Sequence, residues 1–407
     1  MKKLKIDLPQ ISKKRIALRV TSAAERAIRS GHPWVFENAI VHQSHQGKSG
    51  DLAVIFDKKR HFLAIGLYDP DSMIRVRILR ALKPATVDKH FFAEKLDSAH
   101  QRRAPLRDSD HTNGYRLLHG ENDGMPGLVI DRYAETAVIK LYTPTWIPHL
   151  SAILDVLEED FPAKRIVLRL SDRLKESNHG LHDGMFLLGE KPKSPITFQE
   201  NGLKFEVDPL RGQKTGFFLD QRENRARVEK LAKGKSVLNV FSYTGGFSVY
   251  AARGGAKQIV SLDASKPAIK AARKNFSLNF KETHLHEGIV GDAFEIMAQM
   301  KKEGRLFKMV VIDPPSFAHK QSQTDGAIKA YKKLTRLGLG ILAANGILVQ
   351  ASCSSRVDSD LFFNSINIAA HQAGRMLKEI ERSNHALDHP IEFPEGEYLK
   401  CLFALAP

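Results

Sequence analysis

Cysteine is almost missing: there are two in 407 residues, Cys353 and Cys401. Two cysteines build no disulfide framework, and no Cys/His spacing marks a zinc site. A reducing, cytoplasmic setting and no resident metal are therefore expected. Any run of eighteen apolar residues is also missing, which argues against a membrane-spanning helix. The basic start, Met1-Lys2-Lys3-Leu4-Lys5, has no apolar stretch behind it, so no secretory signal is expected. Internal repeats and long low-complexity linkers are lacking as well. Acid is scarce: 46 Asp and Glu stand against 62 Lys and Arg, a net charge of +16. Such an excess points to a polyanionic partner. It is densest at the start, where Lys2, Lys3, Lys5, Lys13, Lys14, Arg15 and Arg19 face one acid, Asp7. That segment reads as an arm touching phosphates or as a solvated tail.

The 42% hydrophobic content supports real cores, and the length calls for two or three domains. The divisions expected are a basic extension at 1–14, a β-rich domain at 15–85, a small α+β domain at 86–193 and an α/β domain at 194–407. Short strands are predicted at 15–20, 52–56, 62–67 and 74–79. In the last, apolar residues alternate with Arg75, Arg77 and Arg80, a pattern that lines a nucleic-acid surface or simply a half-exposed strand. A helix is predicted over 86–103. From about residue 196, strands and helices alternate, which predicts a Rossmann-like parallel sheet with helices on both faces. Its later part is read as a helix at 326–344 and a strand at 347–352.

The first strand of this region runs into Phe241-Ser242-Tyr243-Thr244-Gly245-Gly246-Phe247, a glycine turn that opens a helix. Glycines there let a ligand approach the backbone. Asp263 ends the next strand, eighteen residues after Gly245, where a Rossmann-type fold sets a carboxylate on ribose hydroxyls. The loop is not G-x-G-x-x-G and has no P-loop lysine, so NAD and ATP fit poorly. A compact Gly-Gly turn suits a cofactor without a pyrophosphate, such as S-adenosylmethionine. Gly291-Asp292-Ala293 follows the third strand, where a carboxylate meets the adenine amino group. Asp313-Pro314-Pro315-Ser316-Phe317 follows the fourth; its prolines stiffen the loop, and Phe317 suits stacking against a flat ring or core packing. Cys353 follows the apolar run ending in Ala351-Ser352. Ligands in such sheets bind outside the carboxyl ends of the strands, so Cys353 and Asp313 are expected to share one crevice. Cys401, inside an apolar strand, is expected in the core.

These motifs resemble the bacterial 23S rRNA (cytosine-5) methyltransferases, which join an N-terminal PUA domain, a central domain and a class I S-adenosylmethionine-dependent methyltransferase domain. The resemblance runs from about Arg15 nearly to the end. It rests on Gly31-His32-Pro33-Trp34-Val35-Phe36, on the run Tyr115–Asp131 and on Gln213-Lys214-Thr215-Gly216-Phe217-Phe218-Leu219-Asp220-Gln221-Arg222-Glu223-Asn224. It also rests on the glycine loop, Asp313-Pro314-Pro315-Ser316-Phe317, Ser352-Cys353-Ser354, Asp388-His389-Pro390 and Pro394-Glu395-Gly396-Glu397-Tyr398-Leu399-Lys400. The resemblance implies that Cys353 is the nucleophile, forming a 5-methylcytosine through a covalent adduct. Asp313 then either holds a proton toward cytosine N3 or, ionised, binds the cofactor amino group; sequence leaves both open. It implies S-adenosylmethionine held by Phe218, Gln221, Asn239, Ser242, Tyr243, Thr244, Gly245, Gly246, Asp263, Ala264, Ser265, Asp292, Ala293, Asp313 and Pro314. The partner implied is 23S rRNA or a precursor of the large ribosomal subunit; no membrane partner is expected, and a homodimer stays open. A related group of cytosine-5 enzymes carries a second cysteine after Pro-Pro; here Ser316 stands there. The family glycine after Ser354 is Ser355, which questions the local backbone if φ is positive.

Two other readings remain at the level of sequence. One is a methylase of another base position: an rRNA guanine methyltransferase of a related group, which shares the glycine loop but has no cysteine at 353, or an exocyclic-amine methylase, whose motif Asp313-Pro314-Pro315-Ser316-Phe317 resembles but which would need no thiol. The other is a non-catalytic RNA-binding or ribosome-assembly factor, against which stand the intact Gly245, Gly246, Asp263, Asp292 and Asp313.

Overall fold

The early apolar runs form a six-stranded sheet, in the spatial order Trp34–Phe36, Ile74–Ala81, Phe62–Tyr68, Leu52–Phe56, Ile16–Val20 and Ile40–Gln43. The computed structural model describes residues 8–161, 163–176, 180–318 and 320–407. Lys2, Lys3, Lys5 and Asp7 of the basic extension lie outside the described residues. In its described part, Leu8 packs on an apolar core cluster and the Ser12 amide donates to Asp51 (2.9 Å), while residues 9–14 are exposed. Chain contacts divide the molecule into two units, one of residues 1–200, 207–217 and 387–396, the other of residues 201–206, 218–386 and 397–407.

In the first unit, the arginines of Ile74–Ala81 do not form a bare basic face. Arg77 is buried against Asp69 (3.5 Å), Arg75 pairs with Glu37, and Arg80 reaches Glu94 (3.3 Å) while lying over the Phe91 ring. The ordinary strand reading holds for them, because nearby carboxylates take up the charge. A second sheet of five strands runs in the order Phe186–Leu188, Arg165–Leu170, Thr136–Leu141, Leu128–Tyr133 and Gly114–His119. The helix before it spans Lys89–Arg102 rather than beginning at residue 86, because Asp88 caps it by accepting from the Phe91 amide (3.0 Å). Two distant segments, 207–217 and 387–396, belong to this unit through a buried polar network. Arg103, fully buried, makes a bidentate pair with Asp123 (2.9 and 2.7 Å) and donates to the Asp388 carbonyl (2.9 Å). Asp131 accepts from Arg116 (2.7 and 3.0 Å) and from the Thr215 hydroxyl (2.5 Å).

The second unit holds a seven-stranded sheet. Its elements are β1 (Ser236–Val240), α1 (Gly246–Arg253), β2 (Gln258–Asp263), α2 (Lys266–Asn279), β3 (His286–Val290), α3 (Ala293–Lys302) and β4 (Phe307–Ile312). They continue with α4 (Thr324–Gly340), β5 (Leu342–Ser352), α5 (Ser359–Gln372), β6 (Lys378–Ser383) and β7 (Lys400–Ala406). The order is β3-β2-β1-β4-β5-β7-β6, parallel except for β7, which runs antiparallel to both neighbours. This is the Rossmann-like, doubly wound sheet expected from the alternation of strands and helices, with one antiparallel strand added near its edge. The period of two along each strand divides the core. Leu238, Val240, Val260, Leu262, Val310, Ile312 and Leu348 pack on one face, and Val237, Ile259, Met309, Val311, Ile347 and Val349 on the other. With both faces covered, the strands read as nearly unbroken apolar runs. The helix predicted at 326–344 ends earlier, at Gly340. Ile341 leaves helical geometry, and Leu342 begins pairing with Phe307 on β4. No described helix is long and apolar enough to cross a membrane.

Candidate active site

Sheet register sets the site. Val240 pairs with Ile312, and Ile312 with Gln350, so β1, β4 and β5 end at nearly the same level. Their following loops form one rim, and β1 and β4 flank the point where the strand order reverses. The acids predicted from sequence all stand there: Asp263 ends β2, Asp292 follows β3 and Asp313 follows β4.

The loop after β1 is unusually twisted. Phe241 (φ 59°), Tyr243 (φ 45°) and Gly245 (φ 79°) all take left-handed backbone. For the two non-glycines this costs about 1–2 kcal/mol each, and such strain persists only when surrounding bonds over-determine it. Here they do. The Ser242 amide donates to the Leu262 carbonyl (3.0 Å), the Tyr243 amide to the Asp263 Oδ2 (2.8 Å), and the Asn275 side chain to the Thr244 carbonyl (2.8 Å). A Cβ on Gly245 would lie 2.8 Å from the Ala272 Cβ on α2, so glycine is required by space as well as by φ. Asp263 therefore organises the loop, its other oxygen accepting from the Ser265 amide (2.8 Å). Ser265 caps α2 and leaves Ala264 exposed between them. Asp292 caps α3, its Oδ1 accepting from the Phe294 and Glu295 amides (2.9 and 3.1 Å), and Ala293 is the buried first residue of that helix. Beneath the loop runs a polar chain from Asn239 through Ser248 (3.0 Å) and Ser261 (2.7 Å) to His286 (2.8 Å). Burial drives His286 down to about 4, and its neutral ring stacks on Phe276 at 4.7 Å.

Asp313 is half-buried and its Oδ1 accepts from the Gln221 side-chain Nε2 (2.9 Å). Gln221 is held in turn by Asn224 (2.6 Å), and Asn224 by the Ser383 hydroxyl (2.5 Å). Phe218 packs edge-on against Tyr243, with centroids 5.2 Å apart. At the end of β5 the Cys353 thiol points to the Pro314 carbonyl oxygen, at 3.7 Å. The thiol is thus brought against the Asp313-Pro314-Pro315 loop while staying half-exposed, whereas Cys401 is fully buried in the core as expected. Ser354 closes the same contact, donating to the Ala318 carbonyl (3.1 Å). Ser355 takes no left-handed backbone, so the missing glycine costs nothing locally. Phe317 meets Tyr331 edge-on at 5.3 Å and packs on the core, which favours its packing role over ring stacking. The Tyr331 hydroxyl bonds Ser352 (2.7 Å), and burial raises its pKa far above the ordinary phenol value, so the ring stays neutral.

The family model described as S-adenosylmethionine-dependent methyltransferase matches residues 178–406, and that of a PUA-like domain matches residues 18–81. The chain belongs to the S-adenosylmethionine-dependent methyltransferase family. Among its relatives is a "Ribosomal RNA large subunit methyltransferase" of Deinococcus radiodurans, 47% identical over 97% of this chain and 98% of that one. A "Ribosomal RNA large subunit methyltransferase I" of Shewanella frigidimarina is 40% identical over 96% and 99%. Among solved structures, a protein of Streptococcus mutans described as a SAM-dependent methyltransferase superposes with a TM-score of 0.82 at 23% identity, over 96% and 99% of the two chains. A methyltransferase complexed with SAH superposes with a TM-score of 0.83 at 22% identity, over the same shares. These two likenesses concern the fold.

The cofactor of this methyltransferase is S-adenosylmethionine, and the rim has unfilled polar capacity for it. Ser242 Oγ and Asn239 Oδ1 are buried with no hydrogen-bond partner among the described residues. Buried polar atoms are rarely left so, and a polar ligand at the twisted loop would supply partners. Sequence reasoning missed Asn224 and Ser383, which steady Gln221, and Tyr331, which steadies Ser352. Asn224 lies inside the quoted 213–224 run, three residues after Gln221; nothing in the sequence singles out Ser383 or Tyr331.

Proposed function

We propose that this methyltransferase methylates C5 of a cytosine in 23S rRNA, free or within a large-subunit precursor, through a covalent adduct of Cys353. The observation that carries the reading is the Cys353 thiol held 3.7 Å from the Pro314 carbonyl, half-exposed and one residue from Asp313 on the facing loop. An exocyclic-amine or ring-nitrogen methylase would need no thiol there. The names of the relatives, the PUA-like domain and the net charge of +16 support a ribosomal RNA substrate.

Cytosine C5 is a weak nucleophile. The Cys353 thiolate adds to C6, forming an S–C bond and moving electron density to C5; this is nucleophilic catalysis. Asp313, as the protonated acid, hydrogen-bonds N3 as negative charge builds there. With Oδ1 accepting from Gln221, the acid proton is carried on Oδ2. S-adenosylmethionine supplies the methyl group as an electrophilic sulfonium. A base then takes the C5 proton, the S–C6 bond breaks, and Cys353 leaves as thiolate; the net exchange is a methyl for a proton. Reaching the rim requires the target base to leave its stack. The residues that would hold the cofactor are Phe218 and the 242–246 loop, with Asp263, Ala264 and Ser265 near the ribose. Asp292 Oδ2 and Ala293 would meet the adenine, with Asn239 and Pro314 lining the floor.

The test uses labelled S-adenosylmethionine with unmodified 23S rRNA and large subunits, followed by nucleoside analysis. 5-Methylcytosine is expected, and none with Cys353→Ala. Methyl on guanine, or full activity in Cys353→Ala, would overturn the reading.

A further inference from the structure

The end of β5 carries a charged group that the reaction above leaves unused. Lys400 opens β7 in register with Ser352, the residue before Cys353. Its side chain is 2% exposed, and lysine is almost never buried unless paired. Among the described residues its polar contacts are carbonyl oxygens rather than carboxylates. Nζ donates to the Ser354 carbonyl at 2.9 Å and to the Val357 carbonyl, which together bracket the turn leaving Cys353. Two of the three ammonium protons are thereby used on this turn.

The surroundings define what the charge acts on. Burial pulls Lys400 below the ordinary lysine range, while Glu397, Asp358 and Cys353 act to raise it. Near Cys353 stand also Asp313, whose negative form would oppose a thiolate, and the neutral Tyr331. A buried ammonium beside a thiol lowers the energy of the thiolate, the form that attacks. The interaction is reciprocal, since a thiolate that stabilises the ammonium is stabilised by it.

We propose that Lys400 is a positioning residue for Cys353: its buried ammonium pins the 354–357 turn by two carbonyls and holds the neighbouring thiol as a reactive thiolate. The proposal rests on Cys353 being the nucleophile of the reading above. It assigns to β7 a part in the chemistry, although β7 lies outside the parallel run that forms the rim.

The test needs no RNA. Cys401 is fully buried, so iodoacetamide alkylation of the native protein reports Cys353, with Cys353→Ala as the blank. The alkylation rate against pH should give a Cys353 pKa below about 8.5, the value of a free thiol. In Lys400→Met that pKa should rise by at least about one unit, a tenfold loss of reactivity at neutral pH, and Lys400→Arg should recover part of it. SAH binding checks that each variant is folded. A folded Lys400→Met with the wild-type profile would overturn the proposal. Should that variant not fold, the wild-type profile decides, and a pKa at or above about 8.5 would overturn it equally. A depressed thiol pKa together with methylation of another base would keep the Lys400 pairing and sink the cytosine reading, so the two failures are distinguishable.

Discussion

Replacing Gly245 with alanine should damage the cofactor loop. Two costs add. Alanine at φ 79° pays about 1–2 kcal/mol for left-handed backbone. Its Cβ would also sit 2.8 Å from the Ala272 Cβ and 3.0 Å from the Ala272 Cα, and overpacking of this kind costs about 1–3 kcal/mol. The neighbour is a fully buried alanine on α2, so no flexible side chain can swing aside. The total is about 2–5 kcal/mol. If the loop shifts to relieve it, the loss appears in binding instead, as SAH affinity weakened about ten- to a hundredfold. Gly304→Ala is the control: Gly304 has φ 68°, but its Cβ would meet nothing within 4 Å. It carries the backbone cost alone and lies away from the rim. Thermal melts with and without SAH, with titration calorimetry, separate the two effects. If Gly245→Ala melts like Gly304→Ala and binds SAH like the wild type, the packing argument for this loop is wrong.

Gln221→Leu removes the donor to Asp313. A hydrogen bond to the neutral acid is worth about 0.5–1.5 kcal/mol, so kcat should fall about two- to tenfold while SAH affinity changes little; a weakened affinity with unchanged kcat would make Gln221 a cofactor contact instead. Arg103→Met removes the bidentate partner of the buried Asp123 carboxylate, leaving it Arg102 (3.5 Å) and the His119 backbone amide (2.6 Å), and should destabilise the first unit by about 1.5–3 kcal/mol, read by urea denaturation; a loss below about 1 kcal/mol would refute the account of that network. His286 titrates at about 4 in the folded chain against an ordinary 6.5. Between these pH values the unfolded chain takes up a proton that the folded chain refuses, so stability should fall by about 3 kcal/mol on acidification, with no contribution above pH 6.5. His286→Phe should flatten that slope, and an unchanged slope would mean that other groups carry it.

The alternation of strands and helices, the glycine turn, the acids at the strand ends and the separate characters of Cys353 and Cys401 were legible in the sequence. Each is local: a period, a residue type or a spacing within one element, and each survives in the fold because strand ends and loops follow directly from it. Element limits were less legible where capping or pairing decides them, as with Asp88 at the start of its helix and Leu342 drawn into β5 by Phe307. The arginines of Ile74–Ala81 read as a basic stripe only because Glu37, Asp69 and Glu94, which take up their charge, are remote or unmarked in the sequence. What tertiary structure alone decided is which distant groups meet. Sheet register brings Cys353 to Pro314, helix packing lines up Ser383, Asn224 and Gln221 behind Asp313, and the antiparallel return of β7 buries Lys400 beside the thiol turn. These pairings span tens to hundreds of residues, and no local pattern encodes them. They exist because burying both faces of one sheet forces its strand ends into a common rim.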